Sequence, residues 1–599
     1  MMKTKETVVA IVSGWAVLSS FAAETKPVPF IPVISDYSPS RFEVSLPVFE
    51  AGIPSYSVNS AMKPNPRPYS KSKEYPKKYV RKIEGAERRT TPYRFDEMFV
   101  KPGSSIDSDY ARSGKPFFIY ERMSRPPYFL PKDGCPLADR ASYEEWKKSH
   151  PGFIAFNSLW ELDSDSNYFE NFYNKMGDAS ISEDLHAFFG PPDAKGRAHR
   201  VRWAEKLFKI AADFHFGERD IYPLCSGNMG YEHIFGAMGA KGLWYEATTQ
   251  SAGPWNAAAA FVRGAARQRK LDFGWYMAHY MSGFNRQGKA VKGANACAYG
   301  YGGKKERPLP YRGESRSLFR RKSFFGWLIG AKYQMCEAWS HNFIDIRDGK
   351  DVLNDTARAF NEIYEMSCRI DRGEPYTPLA VLTPLNEPCA TTYLNERLLD
   401  PTSQTEIFNT LVPFVSEYGA GRANRKRGEQ GCLYNSEFAG MFDSLCPDSG
   451  QPSDAFLGAL SRYRHVILAG SAFDETKFDT KALAAFEKSG GKVHRYPSPG
   501  CDTPDRLKAL LRTIQDETLP VRVEGDVQWG VNRNAEGWLV YLINNKGVVK
   551  FVDEPEEFVP EKTAHVTVTV KATGESLAYD VKPGDFALAV IREGGKVSK

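Results

Sequence analysis

At 599 residues the chain is too long for one core of ordinary size, and about 150 residues per domain points to three or four units. With 42% hydrophobic and 25% charged residues it reads as globular throughout. A formal charge of +6, set against 79 basic and 73 acidic residues, excludes a nucleic-acid footprint and leaves room only for a mild preference for acidic glycans.

The N-terminus has Lys3 and Lys5, an apolar run from Val8 to Phe21 and then Ala22 and Ala23. That is the layout of a secretory signal peptide over residues 1–23, too short and wrongly flanked for a membrane anchor. A buried or interfacial helix is the other reading. Later in the chain there is no run of 18 consecutive apolar residues, so the expectation is a soluble, secreted or periplasmic protein with no membrane partner. Residues 24–112 are rich in Pro, Ser, Lys and Arg without helical period, as in an extended segment lying across another domain or a partly disordered one.

From 113 to 373 short apolar runs alternate with helical patterns. The runs are PFFIYERM (116–123), GFIAFNSLWELD (152–163), DIYPLCSG (220–227), AKGLWYEATT (240–249), LDFGWYMAHYMSG (271–283) and GAKYQMCEAWS (330–340). Helical spacing marks 200–217, 256–270 and 317–330, and DVLNDTARAFNEIYEMSCRI (351–370) reads as one long amphipathic helix. Strand–helix alternation over this length predicts parallel β, as a (β/α)8 TIM-type barrel or, as rival, a doubly wound sheet. The first one or two strands then come from upstream, where FIPVI or FEVSLPVF serves.

Residues 374–519 open with the strand YTPLAVLTP and include HVILAG, a helix and a glycine pair turning into KVHRYP, as in a flavodoxin- or Rossmann-like α/β domain. There is neither GxGxxG nor GxxxxGK[ST], so no nucleotide is assigned, and no cofactor is expected. Residues 520–599 carry only strand signals, two-residue alternation across glycine-containing turns, and predict an antiparallel β-sandwich. The 9 cysteines show no CxxC or metal-ligand spacing, so no metal site is expected. Mostly buried thiols are predicted, with Cys432–Cys446 the favoured bridge.

Barrel, small α/β domain and β-sandwich in that order, with PYTPLAVL, MFDSLCPDSG…YRHVILAG and WGVNRNAEGWLVYLINN as the most specific stretches, resembles the family 42 β-galactosidases of clan A glycoside hydrolases. The resemblance implies an amidotransferase-like middle domain without amidotransferase chemistry, and a homo-oligomer built through it. It also implies an acid/base glutamate preceded by asparagine. Asn386-Glu387-Pro388 has that form, but it follows the long helix and so falls in the middle domain, away from the barrel's catalytic end.

Barrel chemistry sits at the C-terminal ends of the strands. Glu246 ends AKGLWYE and Glu337 ends GAKYQMCE; Trp244 and Tyr245 flank the first and Trp339 the second. Paired carboxyls are what glycoside hydrolysis needs, and apolar neighbours raise the pKa of the acid. The alternative for either residue is an ion pair at the barrel rim. Counting back from the long helix puts Glu337 on strand eight and Glu246 on strand six, instead of the clan's seven and four, with Tyr245 and Cys336 where the asparagine belongs. Glu161, on strand four and four residues after Asn157, is the third candidate, against a substrate contact or a surface loop. Tyr276 and His279 are candidate sugar ligands, His279 being equally a core histidine. Trp160, Trp244, Trp255 and Trp339 are candidate stacking platforms or ordinary core.

CPLADR (135–140) has the wrong spacing for a sulfatase motif, and DSDSN (163–167) lacks the calcium-loop glycine and glutamate. NRKRGEQ (424–430) reads as a solvated loop. There is no GxSxG and no HExxH. The expected function is an exported glycoside hydrolase acting on a carbohydrate. The alternatives are a polysaccharide lyase, or a glycan-binding or assembly protein that keeps the barrel as scaffold.

Overall fold

The computed structural model describes residues 27–35, 45–58, 108–121, 139–161, 204, 205, 208, 219–225, 229–247, 255–277, 285–287, 289, 314–336, 342–347, 350–385, 435–447, 451–470, 480–551, 554–592 and 597–598. In chain order the first elements are β1 (Ile31–Ser35), α1 (Pro47–Glu50), β2 (Ile53–Val58), α2 (Asp109–Arg112), β3 (Phe117–Glu121), α3 (Arg140–Ser149), β4 (Phe153–Glu161) and β5 (Ile221–Cys225). They continue with α4 (Tyr231–Ala237), β6 (Gly242–Ala247), α5 (Trp255–Arg269), β7 (Asp272–Met277), α6 (Arg316–Leu328) and β8 (Tyr333–Cys336). β1 to β8 close into a barrel in sequence order, with β8 pairing in parallel back onto β1. The expected barrel is therefore the observed one, and the doubly wound sheet is excluded.

Strands covered on both faces read as unbroken apolar runs, and β5 and β6 are buried at every position. The barrel interior is filled by rings. Phe118 lies 5.4 Å from Tyr222, 5.1 Å from Tyr333 and 6.1 Å from Trp244 between centroids. Two glycines make this possible: a Cβ on Gly274 would stand 2.2 Å from the Trp244 ring, and one on Gly242 2.1 Å from that of Tyr222.

Of the two upstream candidates, FIPVI supplies β1. The second strand is Ile53–Val58 instead of FEVSLPVF, whose Pro47–Glu50 forms a helical turn with proline in its first position. Downstream, β9 (Ile344–Arg347) and β10 (Lys350–Leu353) form a hairpin before α7 (Asp355–Arg369). The long helix thus starts later than Asp351, because Asn354 caps it through bonds from the Thr356 and Ala357 amides.

The middle of the chain carries β11 (Glu374–Pro375), β12 (Leu379–Leu382), β13 (Phe442–Leu445), α8 (Ser453–Leu460), β14 (His465–Ala469), α9 (Lys481–Lys488), β15 (Lys492–Tyr496) and α10 (Pro504–Thr518). Four of these strands form a parallel sheet in the order β13-β12-β14-β15. The remainder is β16 (Val521–Glu524), β17 (Gln528–Asn534), β18 (Gly537–Ile543), β19 (Val548–Val549), β20 (Glu557–Phe558), β21 (Ala564–Val570), β22 (Ser576–Val581), β23 (Phe586–Arg592) and β24 (Val597–Ser598). These make two antiparallel sheets, β11-β17-β18-β23-β24 and β16-β21-β22, and a small β19–β20 ladder. Glu374–Pro375, just after the barrel, pairs with β17 and so serves the C-terminal sheet.

Helix α5 joins the barrel to the parallel sheet. A Cβ at Gly264 would lie 1.8 Å from the Ser444 carbonyl, so only glycine lets helix and strand approach this closely. Beside it the fully buried Asp443 accepts from Arg263 Nε and Arg267 Nη1, both at 2.7 Å, and from Thr377 and Tyr463. Burial alone would raise the Asp443 pKa, but the two guanidiniums outweigh it and hold it below the usual carboxylate range. Cys446, next to this strand, is buried, and Cys432, its expected bridge partner, lies outside the described residues. The Cys446 backbone N–H and C=O are both bonded to the Gln268 side chain of α5, which fixes it against the barrel.

Candidate active site

The site is built on the inward faces of β6, β7 and β8. In β6 alternate residues face opposite ways, so Trp244 and Glu246 look into the barrel and Tyr245 looks out. Tyr245 accordingly stacks on Trp275 (5.3 Å, 26°) beneath the helices, only 1% exposed. Glu246 is next to last in β6, at the C-terminal mouth, and is itself buried. Its register neighbour on β7 is Tyr276, whose neighbour on β8 is Met335. Among the described buried acidic side chains Glu232, Glu246, Glu314 and Asp443, Glu246 is the one carried on a barrel strand.

One layer below, Trp244 Nε1 donates to Asn157 Oδ1 (2.9 Å) and Asn157 Nδ2 donates to Ser55 Oγ (3.1 Å). All three are fully buried, so the chain ties β2, β4 and β6 together across the interior and supports the strand end that carries Glu246. Trp244 and Asn157 present no open ring or amide face here.

Glu161 closes β4 and pairs with Leu224 of β5 after a bulge: from Ser158 to Glu161 three positions pass against one from Pro223 to Leu224. Bulges recur beside active sites because they re-aim a strand end, and this one accounts for the four-residue offset from Asn157. Trp160 is in the same strand. Glu337 directly follows Cys336, the last residue of β8, and with His279, Trp339 and Asn386-Glu387-Pro388 lies outside the described residues. The strand positions six, four and eight counted from sequence for Glu246, Glu161 and the segment before Glu337 are those observed.

Trp255 starts α5 fully buried, under the Lys322 ammonium (4.6 Å), and its indole N–H has no hydrogen-bond partner among the described residues. Lys322, midway along α6, is in turn paired with Glu314 (2.7 Å), which precedes the N-terminal end of that helix, both side chains wholly buried. Since each barrel helix runs antiparallel to its strand, that end lies at the catalytic mouth. Sequence reading missed this pair; its one signal was a lysine inside the apolar stripe SLFRRKSFFGWL. At the opposite face Asp220 binds Lys147 (2.7 Å) and Lys241 (3.0 Å). Burial would raise its pKa, yet the two ammonium groups bring it below normal, as expected of a structural clamp. Among the described residues no three His, Cys, Asp or Glu side chains form a metal-binding group, and no helix is long and apolar enough to cross a membrane.

No protein-family model and no curated protein matches the chain. Among solved structures it is similar to the catalytic module of a family 98 glycoside hydrolase from Streptococcus pneumoniae TIGR4, at 11% identity over 80% of this chain and 74% of that one, TM-score 0.36. It is similar to the exo-carrageenase GH42 from Bacteroides ovatus (10% identity, 97% and 87% covered, TM-score 0.41). A third is Gan42B, a GH42 beta-galactosidase from G. stearothermophilus (9% identity, 83% and 92% covered, TM-score 0.42). A closed barrel of eight parallel strands followed by a parallel sheet and antiparallel sheets is the layout that the family 42 resemblance implied.

Proposed function

We propose that the chain is an exported glycoside hydrolase that cleaves an extracellular oligo- or polysaccharide with the carboxyl pair Glu246 and Glu337. The observation that carries this reading is Glu246 itself: a carboxyl at 5% exposure, inward on β6 at the barrel's C-terminal mouth, in register with Tyr276. Enclosing a carboxyl is costly, and this one stands at the strand end where barrel enzymes carry their chemistry. Glu337 follows β8, two strands further round, which is about 10 Å of backbone spacing. The reading requires the two carboxyls to stand roughly 5 to 9.5 Å apart, the range that retaining and inverting enzymes use.

One carboxylic acid protonates the glycosidic oxygen as its bond to the anomeric carbon breaks. The other, ionised, attacks that carbon or takes the proton from the water that does. Both roles are met by side chains, so no organic cofactor or metal is required. Tyr276, between the two strands, is suited to hydrogen-bond a sugar hydroxyl. Glu161 and Trp160 of β4, and His279 and Trp339, which follow β7 and β8 in the sequence, are assigned to substrate contacts. Residues 1–23 are assigned to export, and the parallel-sheet domain to self-association.

The test is hydrolysis of a broad glycan panel by the wild type, Glu246→Gln and Glu337→Gln. Each variant is expected to lose about 10³-fold or more in kcat while keeping its melting temperature. Wild-type rates in both variants would sink the pair. Products absorbing as unsaturated uronides would instead indicate a lyase, and binding without cleavage by the wild type a scaffold role.

A further inference from the structure

The C-terminal domain lies along α6 from end to end. Asn532 Nδ2 donates to the Leu328 carbonyl at the helix C-terminus (2.9 Å), and Phe586 stacks on Phe324 (3.7 Å, 11°). Asp585 pairs with Arg320 (2.6 Å) and Asn545 Oδ1 accepts from Arg321 (3.1 Å). Glu556 then closes the N-terminus, accepting from the Ser317 amide (3.2 Å) and hydroxyl (2.5 Å). A carboxylate there is favoured by the helix dipole as well as by the two bonds.

From Leu328 to Ser317 the contacts climb about 16 Å, from the barrel's quiet end to its catalytic end. They continue past the helix. The segment between β7 and α6 contains a turn closed by Asn285 N to Lys289 O (3.0 Å) and Lys289 N to Asn285 Oδ1 (2.9 Å). At its tip Arg286 binds Glu554 (2.6 Å) and Glu557 (2.5 Å), with its guanidinium 4.8 Å from the Phe551 ring. All three partners belong to the stretch from β19 to β20.

We propose that the C-terminal domain is a positioning element of the active-site mouth: through Glu554, Glu556 and Glu557 it fixes the turn that carries Arg286 and the start of α6, at the barrel's catalytic end. The inference rests on the reading of the barrel mouth as a glycan site. An exposed ion pair alone contributes little, but here three carboxylates and a ring from the one stretch 551–557 hold a forked guanidinium and a helix terminus, while the buried Glu314–Lys322 pair ties that helix to the segment just before it.

The experiment uses the full chain carrying Glu554→Gln with Glu557→Gln, and separately Glu556→Gln. On a cleavable glycan the double variant is expected to raise KM three- to tenfold with kcat changed less than twofold. In both variants amide exchange in peptides covering 285–289 and 315–318 should speed up at least threefold, while exchange in β6 and the melting temperature stay at wild-type values. Unchanged exchange and unchanged KM overturn the proposal. If no glycan is cleaved by the wild type, the exchange readout still decides it: faster exchange confined to those peptides supports positioning, and none rejects it. Reversal by Arg286→Glu combined with Glu554→Arg would confirm the contact.

Discussion

At the level of single residues, the barrel interior depends on fitting large rings into a fixed volume. Trp244 occupies the space left by Gly274 and donates its only N–H to Asn157. Gly274→Ala would overpack this layer and cost about 1–3 kcal/mol. Trp244→Phe leaves Asn157 Oδ1 buried without its donor, a loss of about 1–3 kcal/mol. Both should appear as lower denaturant midpoints; wild-type midpoints would mean that the layer rearranges freely. Glu246 was legible because an ionisable residue closing an apolar run at a barrel strand end is costly to enclose and stands where barrel chemistry takes place. That Asn157 and Trp244 are spent on each other was not, since neither bond joins residues near in sequence.

Among the elements, α5 shows what a helix with two buried faces requires. Its apolar side packs on β6 and β7, and its Arg263 and Arg267 meet Asp443 on β13. Asp443→Ala leaves two buried guanidiniums unpaired and should destabilise by about 3–5 kcal/mol, measured by denaturant unfolding; the arginines lying on a helix surface gave no hint of this in sequence. Histidines on neighbouring elements set the acid limit. Burial lowers the His233 pKa to about 3, with Arg269 adding to the effect. His465, burial first and then its stacked neighbour His494, is lowered to about 4, with Lys492 lowering and Glu517 opposing. Both folded values lie below the ordinary 6.5, so the unfolded chain takes up protons first. The neutral rings therefore contribute fully above pH 6.5, and that contribution is lost between pH 6.5 and about 4 for His465 and about 3 for His233. Melting temperature should fall on going from about pH 7 to about pH 4.5, and less so in His465→Gln; equal falls would remove His465 as a cause.

For the whole molecule, the three regions share one apolar core that runs from the outer wall of the barrel through α5 and α6 into both later regions. The C-terminal domain covers Phe324 and supplies partners for Arg320 and Arg321. A chain ended at Leu519 would expose that flank of α6, and it should be recovered as aggregate or bind a hydrophobic dye strongly. A monodisperse product with wild-type melting would show the domain to be dispensable for folding.

The sequence by itself determined the (β/α)8 order, the strand bearing Glu246 and the nature of each later region, because buried parallel strands, amphipathic helices and alternating strands each leave a local periodic pattern. It misplaced the second strand and the start of α7, where a proline turn and an asparagine cap decide the outcome. Only the tertiary structure decided which way each side chain faces around the barrel, the pairing of Asp443 with α5, and the run of the C-terminal domain along α6 to the catalytic end. Those depend on contacts between residues as much as 271 positions apart, such as Arg286 with Glu557, and no local pattern encodes them.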